Sequence, residues 1–399
     1  TGGTLTYLGN GNGTFARPLS GAFRGTSADL VIFRDLDGDS KADAIVLNYD
    51  VSDFFNTVFK GNGNGTFSIV QSFATGSAPG YPSPYSPYHS NLQDVTGDGH
   101  ADFISGGFPG EILVHVGNGN GAFGAVRTSQ TNQGATLATV AAQLDGDGKA
   151  DLVVAGFDAL LVMAGTGTGT FTTIVTLATG EEFEGVQVGD FNADGKMDVF
   201  ARSETTGTAN IFLGNGNGTF GARKSYAEGL TGTNFATVLA GDFDDDGLTD
   251  IITVDRPDNA LQILFAGGSS STTVGGGAFD APVSFDAGTN PLATAWGDYD
   301  GDGKTDLITL SGDNMVRVFR GNGNGTFQSA LSFSSGMTTA GDLVAADFDA
   351  NGKLDLLVSD ATLGGARMFL NGATTSSATL GSTRGELAVG LINTGGTLD

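Results

Sequence analysis

The sequence predicts an all-β fold, a β-propeller of four-stranded antiparallel blades, on three observations. A nine-residue acidic loop, seen whole in Asp298-Tyr-Asp-Gly-Asp-Gly-Lys-Thr-Asp306, starts again at Asp35, Asp94, Gln143, Asp190, Asp242 and Asp347. The chain therefore repeats about every 50 residues, a period of propellers and solenoids. A glycine-alternating turn, Gly321-Asn-Gly-Asn-Gly-Thr-Phe327 in its fullest form, interleaves with the loop and recurs up to Phe15, Phe67, Phe123, Phe171 and Phe220, and up to Phe279 after an insertion of Ser, Thr and Gly. With 66 glycines and 28 phenylalanines, the composition favours short strands and tight turns over helices, because glycine is costly in a helix and aromatics suit strands.

One repeat can be followed from Ala236 to Phe285. Ala236–Ala240 reads as strand one, the Asp242–Asp250 loop turns the chain, Ile251–Val254 is strand two, Leu261–Phe265 strand three and Phe279–Phe285 strand four. Such a meander has two faces to cover, and a ring of face-packed sheets covers them without long exposed edges. The chain opens mid-repeat, with Thr4–Leu8 as a strand, Gly9–Thr14 as a turn and Phe15 onward as the return strand. Asn-Gly there reads as a hairpin turn with positive φ at both central residues. At the other end, residues 385–399 align without a gap on 341–355, an eighth loop with Leu391 and Gly395 in ligand places, and a worn turn stands at Asn371-Gly372. The reading is one domain over residues 1–399 with eight blades, the last split between the termini; seven blades is the alternative.

The net charge of −26 looks extreme, but more than half of the 44 acids sit in the seven loops. Carboxylates at alternate positions, then glycine, then a last carboxylate let one backbone loop wrap a hard cation with oxygen ligands. Nucleic acid is excluded as a partner, since phosphate binding needs clustered Lys and Arg and the 18 here are scattered. No apolar run approaches the ~18 residues of a membrane span. With no cysteine, stability rests on core and cations. A phosphate-binding reading of the glycine turns fails because no Lys-Ser/Thr and no helix follows.

The two landmarks together, Asp-x-Asp-x-Asp-Gly-x-x-Asp and Gly-Asn-Gly-x-Gly-Thr-Phe, resemble the FG-GAP and VCBS repeat families, whose relatives include the integrin alpha-subunit propellers. The resemblance implies Ca²⁺ held between strands one and two by side chains at loop positions one, three, five and nine and by the carbonyl at seven. Carried over, the first site is Asp35, Asp37, Asp39, Lys41 and Asp43; the second Asp94, Thr96, Asp98, His100 and Asp102; the third Gln143, Asp145, Asp147, Lys149 and Asp151. The fourth is Asp190, Asn192, Asp194, Lys196 and Asp198; the fifth Asp242, Asp244, Asp246, Leu248 and Asp250; the sixth Asp298, Asp300, Asp302, Lys304 and Asp306. The seventh is Asp347, Asp349, Asn351, Lys353 and Asp355. Thr96, Gln143, Asn192 and Asn351 replace acids, so weaker binding is expected there. Ser40 stands where the other loops have glycine. Extracellular calcium modules bind at about 10⁻⁴ to 10⁻³ M, so about seven such sites would fill outside the cell and stand empty in cytosol.

Alternating strands place the loops and glycine turns on one face and the irregular connections on the other. There Tyr81, Tyr85 and Tyr88 are stiffened by prolines and suit a sugar or protein partner, or pack over their own blade. Asp50, Asp53, Phe54 and Phe55, and the acidic Glu181, Glu182 and Glu184, are further features of that face. His89, His100 and His115 are too scattered for a triad or zinc site, no nucleophile elbow is present, and no enzyme is expected. Asn-Gly-Thr sequons at Asn12, Asn64, Asn217 and Asn324 are explained by turn chemistry. The functional expectation is a secreted or surface recognition, adhesion or assembly module for a protein or glycan partner, with self-assembly through the incomplete last blade; a lectin is the alternative.

Overall fold

The computed structural model describes residues 30–39, 43–47, 55–61, 67–74, 91–107, 110–134, 136–227, 235–256, 258–267, 279–280, 282–346, 353–360, 366–371, 379–380 and 387–392. They form seven sheets in chain order, antiparallel except where the C-terminal strand joins the seventh. The first strands are Leu30–Arg34, Asn91–Gln93, Thr136–Ala142, Phe183–Gly189, Phe235–Gly241, Pro291–Gly297 and Ala340–Ala346. The second strands are Asp43–Leu47, Asp102–Gly107, Asp151–Gly156, Asp198–Ser203, Asp250–Asp255, Asp306–Ser311 and Asp355–Asp360. Third strands follow at Phe55–Gly61, Glu111–Gly117, Ala159–Gly165, Thr208–Phe212, Ala260–Leu264, Met315–Phe319 and Ala366–Asn371. Fourth strands close the first six sheets at Phe67–Ala74, Phe123–Gln130, Phe171–Thr179, Lys224–Ala227, Val283–Asp286 and Leu331–Ser334. Every second strand thus begins on the last aspartate of an acidic loop.

Side-chain alternation explains how the sheets stack. In sheet three, Leu152 and Val154 join a cluster with Ile104, Ile112 and Val114 of sheet two, while Val153 and Ala155 join one with Phe183, Val199 and Ala201 of sheet four. Both faces of the second strand are therefore buried, as a period-two pattern between two neighbours requires. Six apolar clusters link the seven sheets pairwise in order. From sheet two onward, the first strands of neighbouring sheets lie side by side, whereas fourth strands such as Phe123–Gln130 and Val283–Asp286 are largely exposed. The sheets accordingly fan outward from their first strands.

Two expectations need correction. The C-terminal strand Leu387–Ile392 runs parallel to Ala366–Asn371, with Asn371 opposite Ile392, and Thr379–Leu380 pairs on its outer side. It lies in the seventh sheet, where the other sheets have a fourth strand, and does not open a further one. The physical reason is an edge: among the described residues no antiparallel return strand pairs with the third strand of that sheet, and the tail pairs with it instead. In the four fully described glycine turns, those ending at Phe123, Phe171, Phe220 and Phe327, positive φ falls on glycines alone, as at Gly323 and Gly325, and not on the asparagines. Each is a five-residue turn closed by an N–H to C=O bond, Asn322 to Thr326 at 2.9 Å and Asn118 to Ala122 at 2.9 Å, and so is not a two-residue Asn-Gly hairpin. The N-terminal strand and turn, Thr4 to Phe15, lie outside the described residues.

His115 departs from its repeat. The equivalent third-strand residues are Phe59, Met163, Phe212, Leu264, Phe319 and Phe369, all buried. His115 is 3 % exposed, lies 4.6 Å from Phe73 between ring centroids, and its Nε2 has no hydrogen-bond partner. Burial lowers its pKa to about 4. With a folded pKa below that of the unfolded chain, ~6.5, the neutral ring contributes stability above that value and loses it as pH falls toward 4. His115→Phe is expected to remove this loss: between pH 7 and 4.5, urea unfolding should show the parent losing about 2–3 kcal/mol more than the variant. Parallel losses in both proteins would refute the assignment.

Candidate metal centres

The acidic loops are ladders of Asx turns. Position one accepts from the amides of positions four and six: Gly301 and Gly303 donate to Asp298 at 2.7 and 2.9 Å, and Gly97 and Gly99 to Asp94 at 2.6 and 2.8 Å. Position five accepts from position seven, as in Lys304 N–H to Asp302 at 3.0 Å and Leu248 N–H to Asp246 at 2.8 Å. Such side-chain bonds favour turns over regular structure. Position four needs a left-handed backbone, which glycine gives freely at Gly301 with φ +81°. Ala193 at φ 58° and Asp245 at φ 62° are held there without that freedom.

The ladder turns the carboxylates of positions one, three and five toward one point. Ligand oxygens lie within 4.8 Å of one another in Asp35, Asp37 and Asp39, in Asp242, Asp244 and Asp246, and in Asp298, Asp300 and Asp302. In the third loop, where Gln143 holds position one, the converging set is Asp145, Asp147 and Asp151. Several acidic groups are thus arranged to chelate a divalent ion, and an all-oxygen set of this kind suits a hard cation. Burial raises Asp244 to about 6, with Asp246 and then Asp242 adding like-charge repulsion; a bound cation would relieve both. Basic groups occupy some of this space. The Lys60 ammonium pairs with Asp37 and lies 3.2 Å from Asp39, and Lys304 is 3.1 Å from Asp302. The side-chain bond from Lys149 holds Asp147 below the usual carboxylate range, and that from Lys304 does the same for Asp302.

Position nine has a second role that the motif did not disclose. Asp43, Asp102, Asp151, Asp198, Asp250, Asp306 and Asp355 are all fully buried. In the first six, one oxygen accepts the N–H of position two, from Leu36, Val95, Leu144, Phe191, Phe243 and Tyr299, at 2.8–3.0 Å. In all seven, the other oxygen accepts the N–H that ends strand three, from Gly61, Gly117, Gly165, Gly214, Ala266, Gly321 and Asn371, at 2.7–2.9 Å. Burial raises the carboxyls of Asp102, Asp151 and Asp306, and raises Asp198 to about 6 and Asp250 to about 7, against the lowering effect of the amide bonds. The position-two side chains of those first six loops are themselves buried. Their apolar character in every loop was the legible signal that the loop is folded down onto the core.

Among the described residues, the first, second, third and fifth loops also meet the turn of the following sheet. A Cβ added at Gly218 would lie 3.2 Å from that of Asp145, and one at Gly325 would lie 3.3 Å from that of Asp244. Gly218 N–H donates to the Leu144 carbonyl at 3.0 Å. Between the fifth loop and the sixth turn, a cleft of about 310 Å³ is lined by Asp244, Asp246, Phe265, Asp280 and Asn324, among others.

The remaining predicted residues divide. Tyr81, Tyr85, Tyr88, His89, Lys41, Asp347, Asp349 and Asn351 lie outside the described residues, as do Asp50, Asp53 and Phe54. Glu181 is held by Arg223 at 2.6 Å and by the Ser203 hydroxyl at 2.7 Å; the Arg223 bond keeps its carboxyl below the usual range. That pairing is structural. The His100, Lys149 and Lys304 side chains lie against the turn glycines Gly119, Gly167 and Gly323, which leaves position seven only its carbonyl to offer a cation.

A profile of the FG-GAP-like repeat matches residues 94–154, 143–201, 190–253, 242–309 and 298–358. Each match begins on position one of a loop and ends just past position nine of the next. The chain belongs to the FG-GAP-like repeat family. The FG-GAP-like repeats here span residues 94–358, and their unit straddles two sheets, tying one loop to the following one. No curated protein matches the chain in sequence. Among solved structures, an Agrocybe aegerita lectin, solved for its specific recognition of non-reducing terminal N-acetylglucosamine, is similar with a TM-score of 0.59 and 18% identity over 83% of this chain and 90% of that one. BBS1N in complex with ARL6DN is similar in a lead-soaked structure, TM-score 0.55 and 11% identity over 85% and 91%. Its mercury-soaked counterpart gives TM-score 0.56 and 10% identity over 90% and 95%. These structures were solved for recognition of a sugar and for a protein complex, and at such identities the likeness is one of fold.

The two carboxylate classes are separable by mutation. Asp306→Ala should cost about 2–4 kcal/mol even in excess chelator, because two buried amides lose their acceptors. Asp302→Ala, exposed at position five, should leave the melting midpoint in chelator near that of the parent and lower it only when calcium is present. Equal effects of the two variants in chelator would show that position nine has no cation-independent role.

Proposed function

We propose that this chain is a calcium-loaded, non-enzymatic recognition module that works outside the cell. The observation that carries the proposal is the repeated convergence of three carboxylates in loops whose fourth is buried at a joint of the sheet. An oxygen-only donor set at alternate loop positions is the chemistry of Ca²⁺ rather than of a thiolate or imidazole metal. Seven such loops invest most of the acids of the chain in its scaffold. Sites of millimolar to submillimolar affinity are filled only where calcium is abundant, which supports an extracellular setting. The fan of sheets supports closure into a ring of seven, since the C-terminal strand completes the seventh sheet. No helix among the described residues is long and apolar enough to cross a membrane.

For the ligand, we adopt a glycan. The lectin likeness has the higher identity and TM-score of the reported structures, and the strongly negative chain disfavours anionic partners. A protein partner is the second reading, supported by the likeness to BBS1N; adhesion or self-assembly would be its form.

Two measurements test the proposal together. At millimolar Ca²⁺ each loop would stabilise the native state by roughly 0.4–1.4 kcal/mol through mass action, so the melting temperature should fall sharply in chelator. On a glycan array, binding should be seen in calcium and lost in chelator. An unchanged melt would sink the calcium scaffold, and an array silent in calcium would sink the carbohydrate reading alone.

A further inference from the structure

Lys60 comes to the first acidic loop from a different strand. It is the last residue but one of Phe55–Gly61, the third strand of sheet one. The Gly61 N–H that follows it donates to Asp43 at 2.8 Å, which ties this end of the strand to the loop. From there the ammonium pairs with Asp37 and lies 3.2 Å from Asp39. These are two of the three aspartates, with Asp35, whose ligand oxygens lie within 4.8 Å of one another, and the Asp37 side chain is only 6% exposed. The position-seven lysines Lys149, Lys196 and Lys304 are placed differently, each pairing with the more exposed position five of its own loop at 2.6–3.1 Å. The fifth loop supplies a comparison. It has the same four acids, Asp242, Asp244, Asp246 and Asp250, but Phe265 stands at the strand-three place of Lys60. In sheet six that place is held by Arg320, whose Nε is 3.4 Å from Asp300.

An ammonium is a compact charge with three N–H donors on a flexible stem. Placed between two carboxylates, it offsets the repulsion that drawing them together creates. A divalent ion held by the same oxygens would crowd it, and like charges that close repel. The two cations therefore exclude each other, and the lysine stem is long enough to carry its head out to water. We infer that Lys60 is the resident cation of the first loop: it closes the loop when calcium is scarce, must leave for calcium to enter, and so lowers the calcium affinity of that loop. The inference rests on the calcium reading above and grades one of its sites.

Calcium binding by the full chain and by Lys60→Met, followed by equilibrium dialysis from micromolar to millimolar calcium, tests this directly. One site of Lys60→Met should bind about fivefold more tightly than in the parent, the scale of one ion pair that no longer has to be broken, with the other sites unchanged. Thermal melts give a second readout that a merely structural lysine would not move. Lys60→Met should melt below the parent in excess chelator, where Asp37 and Asp39 lose their counter-charge, and the gap should close or reverse in saturating calcium. Lys60→Arg, which keeps the charge, should bind calcium as the parent does. Lys60→Gln decides the matter in the same way if Lys60→Met melts too early to be dialysed folded. A binding curve for the neutral variants that superimposes on that of the parent would overturn the inference and leave the calcium reading intact. Equal tightening in Lys60→Arg would assign the effect to the shape of the side chain rather than its charge, and overturn it as well. A parent that shows no response to calcium in either dialysis or melt would remove both the calcium reading and the inference.

Discussion

The aspartate at position nine lies inside the protein with its two oxygens on backbone amides, and the geometry of each sheet follows from those bonds. One amide begins the acidic loop and the other ends strand three, so a single carboxylate joins both connections at the same end of a sheet. A buried carboxylate is expensive unless its lone pairs are used, and here each oxygen has a partner. The bonds pull the position-two side chain into the core, which aims positions one, three and five outward as a cluster. Loop chemistry and core packing are therefore one construction.

The same arrangement explains why a repeated fold tolerates worn loops. Thr96, Gln143 and Asn192 have replaced acids at outward positions, yet Asp102, Asp151 and Asp198 remain buried with the same amide partners. A cation adds stability by mass action to a loop already closed by its own hydrogen bonds.

Much of this was legible in the sequence. The loop and turn landmarks placed the strands of the fifth repeat within a few residues, and the expectation that loops and turns share one face holds. The alternation of Leu152, Val153, Val154 and Ala155 between two clusters is the period-two pattern read in three dimensions. The destination of the C-terminal segment was not legible, because its likeness to residues 341–355 concerns sequence and the open edge that captured it is a property of the assembled sheet. The second role of position nine was hidden as well, since a motif shows that an aspartate is required without showing what its oxygens meet. His115 reads as polar in a strand, and only its aromatic surroundings show it as a neutral core residue.

The most direct test of the account is the number of calcium ions bound per chain, measured by equilibrium dialysis at millimolar calcium on the parent and on Asp300→Ala. The account predicts about seven ions for the parent, with the six loops outside the mutated one retaining theirs in the variant. A parent that binds no calcium, or only one or two ions, would contradict the claim that these repeated carboxylate clusters are metal sites around which the scaffold is built.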